Sequence, residues 1–335
     1  MKDLKLYSKR QLENLIDKRE GEIKFGEKVQ TVETLETLEN KTAKYVLFGI
    51  PEDVGVHANY GKKGTSAAWE QCLKSLLNMQ ANTYTNAENL LVLGEVDCSE
   101  QMRTASLLAQ DGANFGSVIG KLVEEIDVKV SQVVRAIISA GKIPIIIGGG
   151  HNNAFGNLKG ASEGTGGPIN VVNFDAHTDF RPLEHRHSGN GFSYAMERGY
   201  IDKYVVFGLH KTYTSQEVYN RMEQFKNKIA FFFFEDIQLR ENPTFKNAVS
   251  MAHKFLLPKK YGVELDVDAI ENFPSSAMSP SGFTMKQARQ FLRFFVRHPH
   301  VAYVHICEAV PHKNPDLNYN VGKALAYFVS DVISD

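Results

Sequence analysis

The chain predicts a three-layer α/β/α domain, with helices on both faces of a doubly wound, mostly parallel sheet of eight strands. Short apolar runs alternate along the 335 residues with longer amphipathic ones, the β-α-β-α order of layered α/β domains. Several of the short runs are apolar throughout, without polar alternation, as a strand covered on both faces should be. Polar residues able to do chemistry fall directly after these runs, at the carboxyl ends of the expected strands, where doubly wound sheets bind ligands.

In chain order, residues 1–40 read as a helical N-terminal extension. The expected strands are Tyr45–Ile50, Leu90–Leu93, Ile143–Ile147, Ile169–Phe174, Tyr204–Gly208, Ile229–Phe234, Tyr261–Leu265 and Val301–Ile306. Helical periodicity is strongest from Ser117 to Ala140, where Val118, Leu122, Ile126, Val130, Val133 and Ile137 recur at three- and four-residue steps. Gly141 suits its C-cap, with Pro144 close behind. Weaker helical patterns cover Ser66–Asn78, Ser215–Lys226, Phe245–Phe255, Met285–Arg297 and Lys323–Ile333. The stretch Gly160–Gly167 reads as a surface loop, Phe231–Phe234 as core, and His253, His298 and His300 as surface residues. With no repeat, low-complexity tract or linker, residues 1–335 read as one domain.

Composition narrows the function classes. A hydrophobic content of 43% suffices for a buried core. A net charge of −1 and a pI near 6.8 offer no general attraction to nucleic acid or to an anionic membrane. Cys72, Cys98 and Cys307 show no paired spacing, so a disulfide framework is not expected. Met1–Arg10 lacks an apolar signal segment, and no run approaches the ~20 apolar residues of a spanning helix. A soluble, cytoplasmic protein is the expectation.

Two stretches carry the chemistry: Asn173-Phe174-Asp175-Ala176-His177-Thr178-Asp179 and Glu264-Leu265-Asp266-Val267-Asp268. His151 closes the Gly148-Gly149-Gly150 triplet, and Glu308 follows the last expected strand. Residues two apart on a strand share a face, so Asp175, His177 and Asp179 can converge, as can Asp266 and Asp268. Four aspartates carry −4, which two divalent cations balance; a single ion would leave buried charge unpaired. Imidazole and carboxylate without thiolate fit manganese better than structural zinc. The glycine triplet is neither a phosphate loop nor a dinucleotide fingerprint, since no Lys-Ser/Thr follows it and its spacing is wrong. A metal-dependent hydrolase is the leading reading.

Gly149-Gly150-His151, Asp175-Ala176-His177-Thr178-Asp179 and Asp266-Val267-Asp268, in that order, resemble the ureohydrolase superfamily of arginases, agmatinases and formimidoylglutamases. The resemblance runs from about Tyr45 to Pro311 and implies an arginase-like fold with two Mn2+ per chain. It implies one ion on His151, Asp175, Asp179 and Asp266, and the other on Asp175, His177, Asp266 and Asp268. Gly148–Gly156, Gly55–Gly64 and Ser188-Gly189-Asn190-Gly191-Phe192 look closest to the formimidoylglutamase branch, which implies a place in histidine metabolism. Arginases carry a proton-shuttle histidine where this chain has Gly191-Phe192-Ser193; His187, just upstream, is the substitute, its alternative being an ordinary surface residue. The Ala269–Gly282 loop replaces the family's Asp-Pro and Pro-Gly-Thr run and points to a different substrate end, whereas Glu308-Ala309-Val310-Pro311 keeps its Glu-x-x-Pro.

The expected reaction is hydrolysis of a C–N bond in a small cationic amidine, with N-formimidoyl-L-glutamate giving glutamate and formamide. Asp268 would relay the proton, and Glu308 would bind the cation. Asn59, Lys63, Ser188 and Asn190 are the candidates for the substrate's amino-acid end, Lys63 suiting a carboxylate. A guanidino substrate releasing urea is the alternative, and a catalytically silent scaffold or sensor the third reading. Family resemblance also implies a homo-oligomer, a trimer or hexamer.

Overall fold

The computed structural model describes residues 3–312 and 315–334. Nine strands form one sheet: β1 (Leu4–Leu6), β2 (Tyr45–Gly49), β3 (Leu90–Val96), β4 (Ile143–Ile147), β5 (Ile169–Phe174), β6 (Ile201–Leu209), β7 (Ile229–Phe233), β8 (Tyr261–Asp266) and β9 (Val301–Cys307). Their order is β1-β3-β2-β4-β9-β8-β5-β6-β7. Every described pairing is parallel except β1 with β3. The three-layer expectation holds because successive strand residues point to opposite faces. Leu47, Val172, Phe174 and Val205 join one hydrophobic cluster under helices Ala68–Leu77, Phe245–Leu256 and Met285–Val296. Val46, Phe48, Val171 and Val206 join the other, under Phe115–Ser139 and Asn153–Thr165.

The N-terminal segment departs from expectation. The helices of residues 3–40 are limited to the short Lys9–Glu13 and Phe25–Lys28 and a 3-10 stretch, Leu35–Asn40. Leu4–Leu6 instead adds the ninth strand, with Leu4 buried beside β3 and Leu12, Phe25 and Leu38 docking as single anchors. Docked anchors without a continuous apolar stripe give a tethered strap, not a helix.

Gly160–Gly167 is also not the expected loop, because helix Asn153–Thr165 runs through it. A Cβ on Gly160 would stand 2.5 Å from the Ser131 carbonyl, and one on Gly164 would stand 2.9 Å from Ile138, so these glycines let two helices pack closely. The helix ends on Gly166 in the left-handed region, φ +83. Phe231 is exposed because β7 is the sheet edge, although Phe234 is buried. His253 is buried, stacked on His298. Among the described residues no helix is long and apolar enough to cross a membrane.

Candidate metal centre

Four adjacent central strands, β4, β9, β8 and β5, end on one rim and deliver His151, Glu308, Asp266 with Asp268, and Asp175 in turn. The β4 exit turns sharply through Gly148 (φ +89) and Gly149 (φ +73), conformations that disfavour any side chain. The buried carboxylate of Glu52 clamps this turn: its Oε1 accepts from the Gly150 N–H (2.9 Å) and Asn153 Nδ2 (2.6 Å), its Oε2 from the N–H groups of Val54 (2.7 Å) and Gly55 (3.2 Å). The His151 N–H in turn donates to Glu308 Oε1 at 2.6 Å.

Around His151 the aspartates close in. Its Nδ1 lies 3.2 Å from Asp175 Oδ2, 2.8 Å from Asp179 Oδ2 and 3.1 Å from Asp266 Oδ2. None of these approaches has hydrogen-bond geometry, so both ring nitrogens of this buried histidine are without a hydrogen-bond partner. The four donor atoms lie within 4.8 Å of one another. The arrangement fits a divalent cation at their centre: hard or borderline donors, net negative, and off-axis to each other. Asp179 adopts φ +43 to aim its carboxylate inward. The Asp175 carboxylate is oriented by the His177 N–H (2.7 Å) and Asn173 Nδ2 (2.9 Å), and Asn173 in turn donates to the Tyr204 hydroxyl.

The same cleft, about 250 Å³, is lined by His177, Asp268 and Glu308. His177 stacks on Tyr213 and keeps Nδ1 3.4 Å from Asp175 Oδ1. Asp268 is held by the Ala277 N–H (3.2 Å) and the Ser276 hydroxyl (3.4 Å). Negative charge is crowded here: burial, then Asp268 and Asp175, pushes the Asp266 carboxyl well above the ordinary carboxylate range. Glu308 sits at φ +64 with Oε2 buried and unpartnered; burial, then Asp268, pushes its carboxyl up to about 8.

All six expected ligands therefore meet at one cleft, with Glu308 beside them. Asn59 and Ser188 also line it, joined by a 3.1 Å hydrogen bond. Three expected residues do not reach it. Asn190 is buried in structural bonds, accepting from Arg186 Nη1 and the His187 N–H and donating to the His185 carbonyl. Lys63 is exposed outside the cleft lining. His187 is buried, not a surface residue, and stands outside the cleft lining: Nδ1 accepts from the Gly189 N–H and Nε2 meets Glu184 at 2.9 Å, while burial lowers the ring to about 4.

Arg181 was not foreseen. It lines the mouth of the cleft, with Nη1 donating to Asn59 Oδ1 at 2.7 Å and Nη2 2.8 Å from Glu184. Its place two residues after Asp179, continuing that motif's spacing, was the available signal. Tyr213 had no local signal, since it arrives from a loop distant in sequence, whereas Ser276 belongs to the Ala269–Gly282 loop that follows Asp268.

A second group, His151, Glu264, His305 and Cys307, also clusters within 4.8 Å. It suits a metal poorly. Both Glu264 oxygens already meet protein partners, and the Cys307 thiol is directed at the Leu265 carbonyl, 3.8 Å away.

This fold and rim are those of the arginase family, and the family model matches residues 43–329. The chain belongs to that family. Among its relatives, it is 25% identical over 276 residues to the formimidoylglutamase of Geobacillus sp. (strain WCH70), covering 80% of this chain and 76% of the relative. It is also 25% identical to that of Geobacillus kaustophilus, covering 83% and 79%. Among solved structures, formimidoylglutamase from Bacillus subtilis superposes with a TM-score of 0.72 at 18% identity, covering 95% of this chain and 93% of that one. Trypanosoma cruzi formiminoglutamase with Mn2+ gives 0.71 at 19%, covering 93% and 98%. At these identities the structural likeness speaks for the fold.

Proposed function

We propose that this chain is a dimanganese hydrolase that converts N-formimidoyl-L-glutamate and water to L-glutamate and formamide. The observation that carries the reading is the charge layout of one cleft, a buried, half-partnered carboxylate at its floor and an arginine at its mouth. An amidine cation would occupy the floor and the glutamate carboxylates would face the mouth. The formimidoylglutamase relatives support the same substrate.

His151, Asp175, Asp179 and Asp266 would hold one manganese, and Asp175, His177, Asp266 and Asp268 the other. Such a pair, when bound, supplies Lewis acidity and makes water a nucleophile near neutral pH. Glu308 Oε2 accepts the amidinium N–H and fixes the substrate carbon beneath the mouth. Asp268, oriented by Ala277 and Ser276, takes the proton of the attacking water and delivers it to the leaving nitrogen as the C–N bond breaks. The new C–O bond stays with formamide, and the amine leaves as glutamate. Arg181 uses two of its donors on Asn59 and Glu184 and keeps others for a substrate carboxylate.

The rival reading is a guanidino hydrolase. A neighbour described as a hypothetical agmatinase of Burkholderia thailandensis superposes at a TM-score of 0.66. Arg181 argues against agmatine, whose second cationic end would meet a like charge. A formamide assay beside a urea assay on manganese-loaded protein decides between them. Turnover of formimidoylglutamate without urea from arginine, agmatine or guanidinobutyrate is expected; faster urea release from any of these would overturn the proposal.

A further inference from the structure

Glu264 begins the second acidic motif, yet it does not line the cleft and the mechanism above does not use it. It lies in the middle of the sheet, paired in register with His305 across β8 and β9, and is completely buried. Its Oε1 accepts from the Tyr303 hydroxyl at 2.6 Å, and its Oε2 sits 2.5 Å from His305 Nδ1. His305 Nε2 faces the Gly148 carbonyl at 3.2 Å. The network thus ends on the turn that presents His151. Room for it is reserved in the backbone, because a Cβ on Gly262 would stand 2.4 Å from the Tyr303 ring.

A neutral imidazole has one proton and one lone pair. To ligate through Nδ1, which faces Asp175, Asp179 and Asp266, His151 must carry its proton on Nε2. Glu264 Oε2 lies 3.5 Å from that Nε2, a few tenths of an ångström beyond an ordinary hydrogen bond. A buried carboxylate is a poor way to stabilise a sheet, since apolar replacements of similar volume are often neutral or better. Its position on the far side of a candidate ligand is what gives it a use.

We propose that Glu264, braced by Tyr303 and His305, is a positioning residue that fixes the tautomer and ring orientation of His151 for metal ligation. The inference rests on the metal reading above and adds a supporting carboxylate to it. Outer partners of this kind typically change metal affinity by about 10- to 100-fold.

The test is a Mn2+ titration followed by the electron paramagnetic resonance signal of free ion, on the parent chain and on Glu264→Gln, with apo-protein melting recorded alongside. The parent should bind two ions. In Glu264→Gln, one binding step should weaken about 10- to 100-fold while the other is kept and the apo protein melts no lower than the parent. Two unchanged steps would overturn the inference, as would equal weakening of both steps with a lower apo melting point, the mark of a merely structural carboxylate. If Glu264→Gln does not fold, Tyr303→Phe decides: several-fold weakening of the same single step is expected, and parent-like binding overturns the proposal. A parent chain that binds no manganese would overturn the metal reading, and this inference with it.

Discussion

Two buried charged nodes lie close together and behave oppositely. In the first, Arg186 is buried between the rings of Phe155 and Tyr194. A guanidinium has five N–H donors, and each is used here: Nε and Nη2 on Asp127, Nη2 also on the Asn152 carbonyl, and Nη1 on the His187 carbonyl and Asn190 Oδ1. In the second, the acidic floor, His151 has no hydrogen-bonded ring nitrogen and Glu308 Oε2 has no partner. Buried charge that is fully partnered ties elements together, here the long helix Phe115–Ser139 to the loops that carry the cleft. Buried charge left unpartnered by its own chain is set for a ligand. The contrast therefore separates residues that hold the site from residues that act in it.

The largest test of the contrast is Asp266→Asn. Removing a charge shared by both proposed ion sites should lower turnover about ten-thousand-fold, since metal stabilisation of the transition state is worth several kcal/mol. The fold should be kept, and near-parent rates on manganese-loaded protein would contradict the ligand role. Arg186→Met should do the reverse. Leaving Asp127 charged and alone should cost about 3–5 kcal/mol of stability in urea titration, with rates per folded molecule within a few-fold of the parent. A selective loss of turnover without loss of stability would place Arg186 in the chemistry instead.

Glu308→Gln should reduce kcat/KM about 10- to 100-fold, because hydrogen bonds to a charged partner contribute about 1.5–3 kcal/mol. Manganese stoichiometry should not change. Arg181→Ala should raise KM for formimidoylglutamate about fivefold with kcat little altered, as an exposed ion contact is worth up to about 1 kcal/mol. An equal rise for a substrate without carboxylates would remove Arg181 from recognition.

The smallest effect concerns pH. Burial, opposed by Arg186, raises the Asp127 carboxyl to about 6, above the ~3.9 of an unfolded chain. The native state then binds more protons in this window, so the stabilising contribution of Asp127 is present below about pH 4 and is lost as pH rises through 6. Asp127→Asn should flatten that part of the melting-temperature profile, and an unaltered slope would show that Asp127 titrates normally.

Much of the site was legible because each expected ligand lies at or within a few residues of the end of an apolar run, and strand geometry carries that order into space. The six expected ligand positions and Glu308 needed only this rule. Lys63, Asn190 and His187 sit in motif-bearing segments yet stand outside the cleft lining, because polarity in the sequence does not say which way a side chain turns. Arg186 shows the same limit in reverse, one residue before His187 and without any local mark of its burial. The helix through Gly160 and Gly164 was missed since glycine in sequence signals a turn, whereas here it signals close approach to a neighbouring helix.

By itself, then, the sequence determined the layered α/β class, the strands that carry the site and the acidic and imidazole side chains that meet at their ends, since these follow from local periodicity and strand ends. Only the tertiary structure decided which charges are partnered and which are not. It brought Arg181 to the mouth, closed Arg186 onto five acceptors, and set Glu264 behind His151. Partnership between buried polar groups is fixed by segments far apart in the chain, and no local pattern encodes it.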